Sequence, residues 1–324
     1  MGDPQGIGPE VAIKALINSE INKISRPIII GDLKVLALTL KKLKLPGVSL
    51  NPIKKIEEAE FIKNKFDVLD LDNVDISKFK PGSLSKMCGK ASVEYVETAI
   101  KLALSKKIDA ITTGPINKEA IHKAGLKYDG HTEILAKYTK SKDYGMLFVA
   151  EPFWVLLVTT HIALKDVSRS INYQKVLNKI IMAHETMFKQ TGKKPKIAVA
   201  GLNPHAGENG IFGKEEIKSI APAVKEAQKR GIDCVGPISP DAVFNLAKIR
   251  IFDIVVAMYH DQGLIPLKLL SFNKSVNVTI GLPIIRTSVD HGTGFDIAGR
   301  GFANPSSMIQ AIKIAAMFAN SRLK

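Results

Sequence analysis

A chain of 324 residues with 45% apolar content carries enough core-forming sequence for more than one compact unit, so two domains are expected and a disordered or disulfide-stapled miniature is excluded. Cys88 and Cys234 stand in no metal or redox spacing, and there is neither a basic-then-apolar leader nor an apolar run of membrane-spanning length; the expected location is the cytoplasm, with no membrane partner. The formal charge of +15 comes overwhelmingly from scattered lysines without an interleaved aromatic stripe, so no nucleic-acid partner is expected, and the positive field instead suits the steering of a small anion.

The chain opens MGDPQGIGPEVAIKALIN. Gly2, Gly6 and Gly8 make a flexible turn, Pro9 suits the first turn of a helix, and Val11, Ile13, Ala15 and Leu16 give that helix an apolar side. This predicts a glycine loop feeding a helix N-terminus, where amides can meet an anion. A strand is expected at 27–30, a helix at 33–43, then a linking region and a strand at 66–69. KASVEYVETAIKLALSKK has helical periodicity, and DAITTGPINKEAIHKAG reads as strand, polar turn and helix. After Gly130-His131-Thr132-Glu133, LFVAEPFWVLLVTTH reads as two strands, followed by a long helix at 173–189. His184 on that helix reads as structural, and His122, in a lysine-rich helix, as surface. GENGIFGKEE imitates a phosphate loop, but its glycines fail the spacing and Glu215 stands where a hydroxyl is needed. Asp241, in GPISPDAVF, reads as a turn or cap residue. The alternation of strand and helix predicts a largely parallel α/β architecture.

Three histidines share one topological place. Residues 254–259, IVVAMY, form an unbroken apolar run that stops at His260-Asp261-Gln262-Gly263; His161 follows the run 153–158, and His205 follows 197–200 and a Gly-Leu-Asn-Pro turn. Open α/β sheets bind ligands beyond the carboxyl ends of their strands, so a shared metal or substrate site is expected there. Lys268 and Arg286 each sit in otherwise apolar sequence, LIPLKLL and GLPIIRTSV, where a solvated charge is less expected, and they read equally as surface cations or as residues that meet a phosphate. Residues 288–308, SVDHGTGFDIAGRGFANPSSM, form a glycine-rich polar loop before a C-terminal helix, and the GxGxxG dinucleotide fingerprint is absent from it.

That loop resembles the HG(S/T)xPDIAGxGxANP segment with which isopropylmalate and isocitrate dehydrogenases hold the adenosine end of their cofactor. Together with GDPQGIGPE, TGPINKEA, GHTE, LNPHAGE and YHDQGLIPLK, it makes nearly the whole chain similar to the 4-hydroxythreonine-4-phosphate dehydrogenase family of pyridoxal phosphate synthesis. The resemblance implies a two-domain α/β/α architecture of the isocitrate/isopropylmalate dehydrogenase-like type. Residues 1–125 and 276–324 would form the first domain and 126–275 a central metal-ligand and dimerisation domain, with the active-site cleft between domains and at a homodimer interface. His161, His205 and His260 match the family's divalent-metal ligands. His131, Thr132, Lys268, Asn277 and Arg286 match substrate contacts, and Asp241, Asp261 and Lys268 fall near the reacting end. His291, Gly292, Thr293, Gly294, Asp296, Gly299 and Asn304 match the cofactor loop.

The implied reaction is oxidation of 4-phosphooxy-L-threonine at C3 with NAD or NADP, then decarboxylation to 3-amino-2-oxopropyl phosphate; relatives act on threonate or erythronate 4-phosphate. A carboxylate at Asp296 would repel a 2′-phosphate, which favours NAD. Three imidazoles suit zinc or cobalt better than magnesium. The same histidine set with an aspartate also fits a metal-dependent hydrolase. Family members carry an apolar strand before the GDPxGIGPE loop, whereas this sequence begins at Met1-Gly2-Asp3, so a leading segment is expected to be missing.

Overall fold

The computed structural model describes residues 1–271 and 274–321. Its strands are β1 Ile29–Gly31, β2 Ser49–Ile53, β3 Lys65–Asp70, β4 Ala110–Thr113, β5 Gly145–Val149, β6 Trp154–Leu157, β7 Ile197–Ala200, β8 Cys234–Ile238, β9 Ile254–Ala257, β10 Val276–Ile280 and β11 Ile285–Ser288. The chain divides into two compact units. One comprises Met1–Lys142 and Leu282–Ala319, and the other is built on Asp143–Gly281. Both cuts fall later than the sequence boundaries at 125 and 275. The helix His131–Thr139 packs on the helix Lys86–Leu104 and stays with the first unit. Strand β10 pairs antiparallel with β5 and stays with the second.

In the first unit β1, β3 and β2 form a parallel sheet, and β4 pairs in parallel with β11. The helix Gly8–Leu16 uses two apolar stripes. Ile13 and Leu16 meet Ile29, Leu36, Phe66 and Val68 over the sheet, while Val11 and Ala15, four apart, meet Val289, Ala303 and Met308. Each fully buried large aliphatic of this set contributes about 1.5–3 kcal/mol. Strand β2 corrects the sequence reading, which left SLNPI in a linker. It is an edge strand in which only Ile53 is buried, a place where Pro52 is tolerated, so neither alternation nor composition marks it.

The opening glycines serve close packing rather than an open anion cradle. A Cβ on Gly8 would stand 2.2 Å from the Met1 carbonyl oxygen, and Gly2, at φ +80°, would bring one to 2.5 Å from that of Pro115. The loop is tied down by Asp3 N to Pro115 O at 2.8 Å and Ile7 N to Thr293 O at 2.8 Å. Asp3 is 1% exposed; its Oδ1 accepts the Gln5 amide at 2.9 Å, and its Oδ2 has no hydrogen-bond partner. Burial raises its pKa to about 6, against the opposing pull of the Gln5 amide. The folded state therefore holds this proton more tightly than the unfolded chain, and ionising Asp3 costs stability as pH rises from about 4 through 6, by up to about 3 kcal/mol. Asp3→Asn, which keeps an oxygen for the Gln5 amide, is expected to stabilise the protein at pH 7 but not near pH 4. Denaturant unfolding at the two pH values measures this, and an equal effect at both would refute the burial account.

The second unit orders its strands β10-β5-β6-β9-β7-β8. Strand β5 runs antiparallel to both β10 and β6, an exception within the largely parallel architecture expected from the sequence; β5 and β6 are joined by a turn too short for a crossover. From β6 through β9 and β7 to β8 the sheet is parallel, and β9 and β7 are buried throughout. On one face Phe153, Phe244, Leu264 and Leu267 pack into a single core with Val155, Val255 and Ala198. The helix Tyr173–Thr191 buries Val176, Leu177, Ile180, Ala183 and Met187, spaced at helical intervals. Among the described residues no helix is long and apolar enough to cross a membrane.

Candidate active site

Register aligns the ends of the parallel strands, with Leu157 opposite Ala257 and Val199 opposite Val256. The chain leaving β6 carries His161, that leaving β7 carries His205, and that leaving β9 turns at Met258-Tyr259 into the helix His260–Ser271. The rings of His161 and His260 lie 5.5 Å apart between centroids, tilted by 47°. Two imidazoles bound at 2.0–2.1 Å to one tetrahedral ion place their ring centres roughly 5 Å apart, so this pair has the spacing of shared ligation. His260 Nδ1 donates to Asp261 Oδ1 at 2.7 Å, which leaves the lone pair on Nε2 facing outward, in the way a carboxylate orients a ligating imidazole. Removal from water, then the neighbouring His260, lowers the His161 pKa and keeps that ring neutral, the form that binds a cation.

His205 is presented differently. Residues 205–209 are all left-handed, with φ of 52°, 51°, 81°, 43° and 53°, and each of the four non-glycine members costs about 1–2 kcal/mol. Buried Glu216 braces the turn, accepting the amides of Leu202 and Asn203 at 2.8 Å each and the Asn203 Nδ2 at 2.9 Å. Glu215 accepts a second hydrogen bond from that amide at 2.8 Å, so the GENGIFGKEE segment serves this turn. Asp241 opens the helix Pro240–Lys248; its bond from Ser239 and the neighbouring His205 hold its carboxyl below the usual range. Among the described residues no three His, Cys, Asp or Glu side chains in one chain come close enough to hold a metal ion. His161 and His260 are thus brought together, and His205 stays outside their pair.

Also in this unit, Lys268 is half-buried two turns beyond His260 on the same helix, and Asn277 on β10 has a buried Oδ1 with no hydrogen-bond partner.

In the first unit Arg286 is 2% exposed on β11, its Nη2 donating to Thr113 Oγ1 on β4 at 2.8 Å; burial brings its pKa down to about 9. His131 and Thr132 begin the helix His131–Thr139. Burial first, and the Arg286 charge second, push the His131 pKa well below its ordinary value, and its buried Nε2 has no hydrogen-bond partner. A helix N-terminus, a buried guanidinium and an unpartnered imidazole nitrogen together suit a phosphate.

The 289–305 loop is held from beneath. Glu10 accepts the Ala303 and Gly301 amides at 2.7 and 3.2 Å, while Lys14 donates to both carbonyls at 2.9 and 2.8 Å. Thr293 spends its carbonyl on Ile7 N. Asn304 Oδ1 accepts the Ser306 amide at 2.9 Å and caps the C-terminal helix. Asp296, Gly292 and Gly299 are exposed, and His291 has a buried Nε2 with no hydrogen-bond partner. Of the positions that matter here, Thr113, Glu10, Glu216 and Gln262 received no role from the sequence. Only their place in TGPINKEA, GDPQGIGPE, GKEE and HDQG hinted at one.

Helix-covered sheets with histidines beyond parallel strand ends, a buried basic recess and a braced glycine loop agree with what comparison shows: the model of the pyridoxal phosphate biosynthetic protein PdxA family matches residues 23–315, and the chain belongs to that family. It is an oxidoreductase. A Fusobacterium nucleatum protein named "putative D-threonate 4-phosphate dehydrogenase" is 43% identical over 319 residues, covering 98% of this chain and 96% of the relative. The solved 4-hydroxythreonine-4-phosphate dehydrogenase of Klebsiella pneumoniae is 42% identical with a TM-score of 0.90, and that of Burkholderia phymatum 43% identical with a TM-score of 0.86, each match covering 98% of this chain and 96% of the other.

Proposed function

We propose that the chain oxidises the C3 alcohol of a four-carbon acid phosphorylated at O4, passing hydride to NAD or NADP with the help of one divalent cation. The observation that carries this reading is the buried Arg286–Thr113 pair beside the unpartnered His131 nitrogen, a guanidinium and an imidazole converging where a phosphate dianion would be held. The His131 and Thr132 amides at the helix start add donors, and a bound phosphate favours return of the proton that burial removes from His131.

His161 and His260, with His205 as third donor, would hold the cation. The cation supplies Lewis-acid stabilisation of negative charge at oxygen, worth several kcal/mol. Asp261 acts through His260, and Lys268 and Asp241 are assigned to proton transfer at the reacting end. The 289–305 loop takes the adenosine end of the cofactor, with exposed Asp296 positioned for a ribose hydroxyl.

The single-chain geometry leaves His205 out of the pair, and exposed Leu164, Ile211, Phe212 and Leu269 lie close in sequence to the site residues of this unit. An apolar surface of this kind fits coverage by a second copy, and we assign a homodimer whose site draws on both chains.

Two substrates share the reacting unit and differ only at C2. D-threonate 4-phosphate carries a hydroxyl there, and 4-phosphooxy-L-threonine an ammonium, its β-keto product losing carbon dioxide to give 3-amino-2-oxopropyl phosphate. The names of the sequence relatives support D-threonate 4-phosphate as the first candidate to assay, and those of the solved relatives support the amino acid as the second. Both acids, D-erythronate 4-phosphate and unphosphorylated threonate should be assayed with NAD and NADP by the absorbance of reduced nicotinamide. Reduction is expected with a phosphorylated acid and not with threonate. Phosphate release without cofactor reduction would favour hydrolysis and overturn the reading.

A further inference from the structure

We infer that Gln262 is a positioning residue whose carboxamide ties the segment that carries His260, itself linked to the His161 segment through Thr159, to the one that leads to His205, so that each subunit presents its ligands at a fixed spacing; the inference rests on the metal reading above. Gln262 is 9% exposed and uses both ends of its amide group on backbone. Its Oε1 accepts the Met258 amide at 2.6 Å, and its Nε2 donates to the Gly201 carbonyl at 2.7 Å. The Met258 carbonyl accepts both the Thr159 hydroxyl at 2.7 Å and the Thr159 amide at 3.1 Å. Thr159 lies two residues before His161, Met258 two before His260, and Gly201 four before His205. Beyond Gly201, the Leu202 and Asn203 amides end on Glu216, which carries the constraint into the left-handed turn.

The placement is what the chemistry of ligation needs. The sheet ladder between β6, β9 and β7 ends where the chains diverge toward their histidines, and past that level backbone bonding alone no longer fixes the separation of β9 from β7. A side chain that accepts at one end and donates at the other bridges the gap; an apolar residue there would leave the Met258 amide and the Gly201 carbonyl unpaired in a buried setting. Outer-shell groups that hold ligands in place typically govern metal affinity by about 10- to 100-fold.

The test is cobalt(II) titration of the full chain, read by calorimetry and by the visible ligand-field spectrum, with inorganic phosphate affinity and melting in a chelator measured alongside. Gln262→Leu is expected to weaken cobalt binding about 10- to 100-fold and alter the spectrum, while phosphate affinity, set in the other unit, stays at the wild-type value. Gln262→Glu, which keeps the acceptor and loses the donor, should fall in the same direction. Thr159→Val should weaken binding, and Thr159→Ser should restore it. Should Gln262→Leu fail to fold, the Thr159 pair decides. Wild-type affinity and spectrum in folded Gln262→Leu or Thr159→Val overturn the inference while leaving the metal reading intact. Wild-type cobalt affinity that is indifferent to His161→Ala and His260→Ala overturns both.

Discussion

Replacing Arg286 with methionine is expected to stabilise the ligand-free protein and, at the same time, to raise the KM for phosphorylated substrate by about 100- to 1000-fold. The two effects have one cause. A guanidinium whose pKa is brought from its usual value of 12.5 down to about 9 by burial carries its full desolvation cost at neutral pH, because there it remains charged in the folded state; the shift corresponds to roughly 5 kcal/mol at most. Methionine fills much of the volume without the charge. It forfeits the bond to Thr113 together with the guanidinium's other interactions, which leaves a net gain of at most about 2 kcal/mol. Removing one member of a buried charge pair in the bound state costs about 2–5 kcal/mol, and each 1.4 kcal/mol is tenfold. Calorimetric melting with and without inorganic phosphate, joined to steady-state kinetics, measures both. Phosphate should raise the melting temperature of the wild type and not of the variant. A less stable variant with an unchanged KM would remove Arg286 from the phosphate site.

Replacing His260 with alanine is expected to lower turnover by about three orders of magnitude with little loss of stability, given a Lewis-acid contribution of several kcal/mol. Its imidazole is 35% exposed at the start of a helix, so truncation opens no sealed cavity. If the third donor is His205 from a second copy, mixing inactive His205→Ala and His260→Ala chains should restore part of the activity, since one of the two hybrid sites is then intact. Activity of His260→Ala near the wild-type rate would exclude it from the site, and mixtures without recovery would favour a site within one chain.

The sequence was readable where burial writes a pattern. The runs Ile197–Ala200 and Ile254–Ala257 are buried on both faces and are apolar without interruption, so their ends, and the histidines beyond them, could be located. Arg286 stood out because a cation inside GLPIIRTSV conflicts with its surroundings. It was silent where a residue's role depends on distant backbone. His205, Ala206 and Glu208 are not left-handed formers, and only Gly207 and Asn209 hinted at the turn that Glu216 enforces from outside it. Gln262 and Thr113 act through partners 61 and 173 residues away in the chain, which no local window contains. Strand β2, exposed and carrying Pro52, has no alternation to read, and the antiparallel turn of β10 onto β5 is a tertiary choice that neither strand's composition announces.

X-ray absorption at the metal edge of the cobalt-loaded protein asks most directly whether imidazoles from separate strand ends gather on one ion. The expected result is nearest scatterers at about 2.0–2.1 Å with more distant scattering from at least two imidazoles, diminished by one in His260→Ala. A shell of oxygen scatterers alone, identical in the wild type and in His260→Ala, would contradict it.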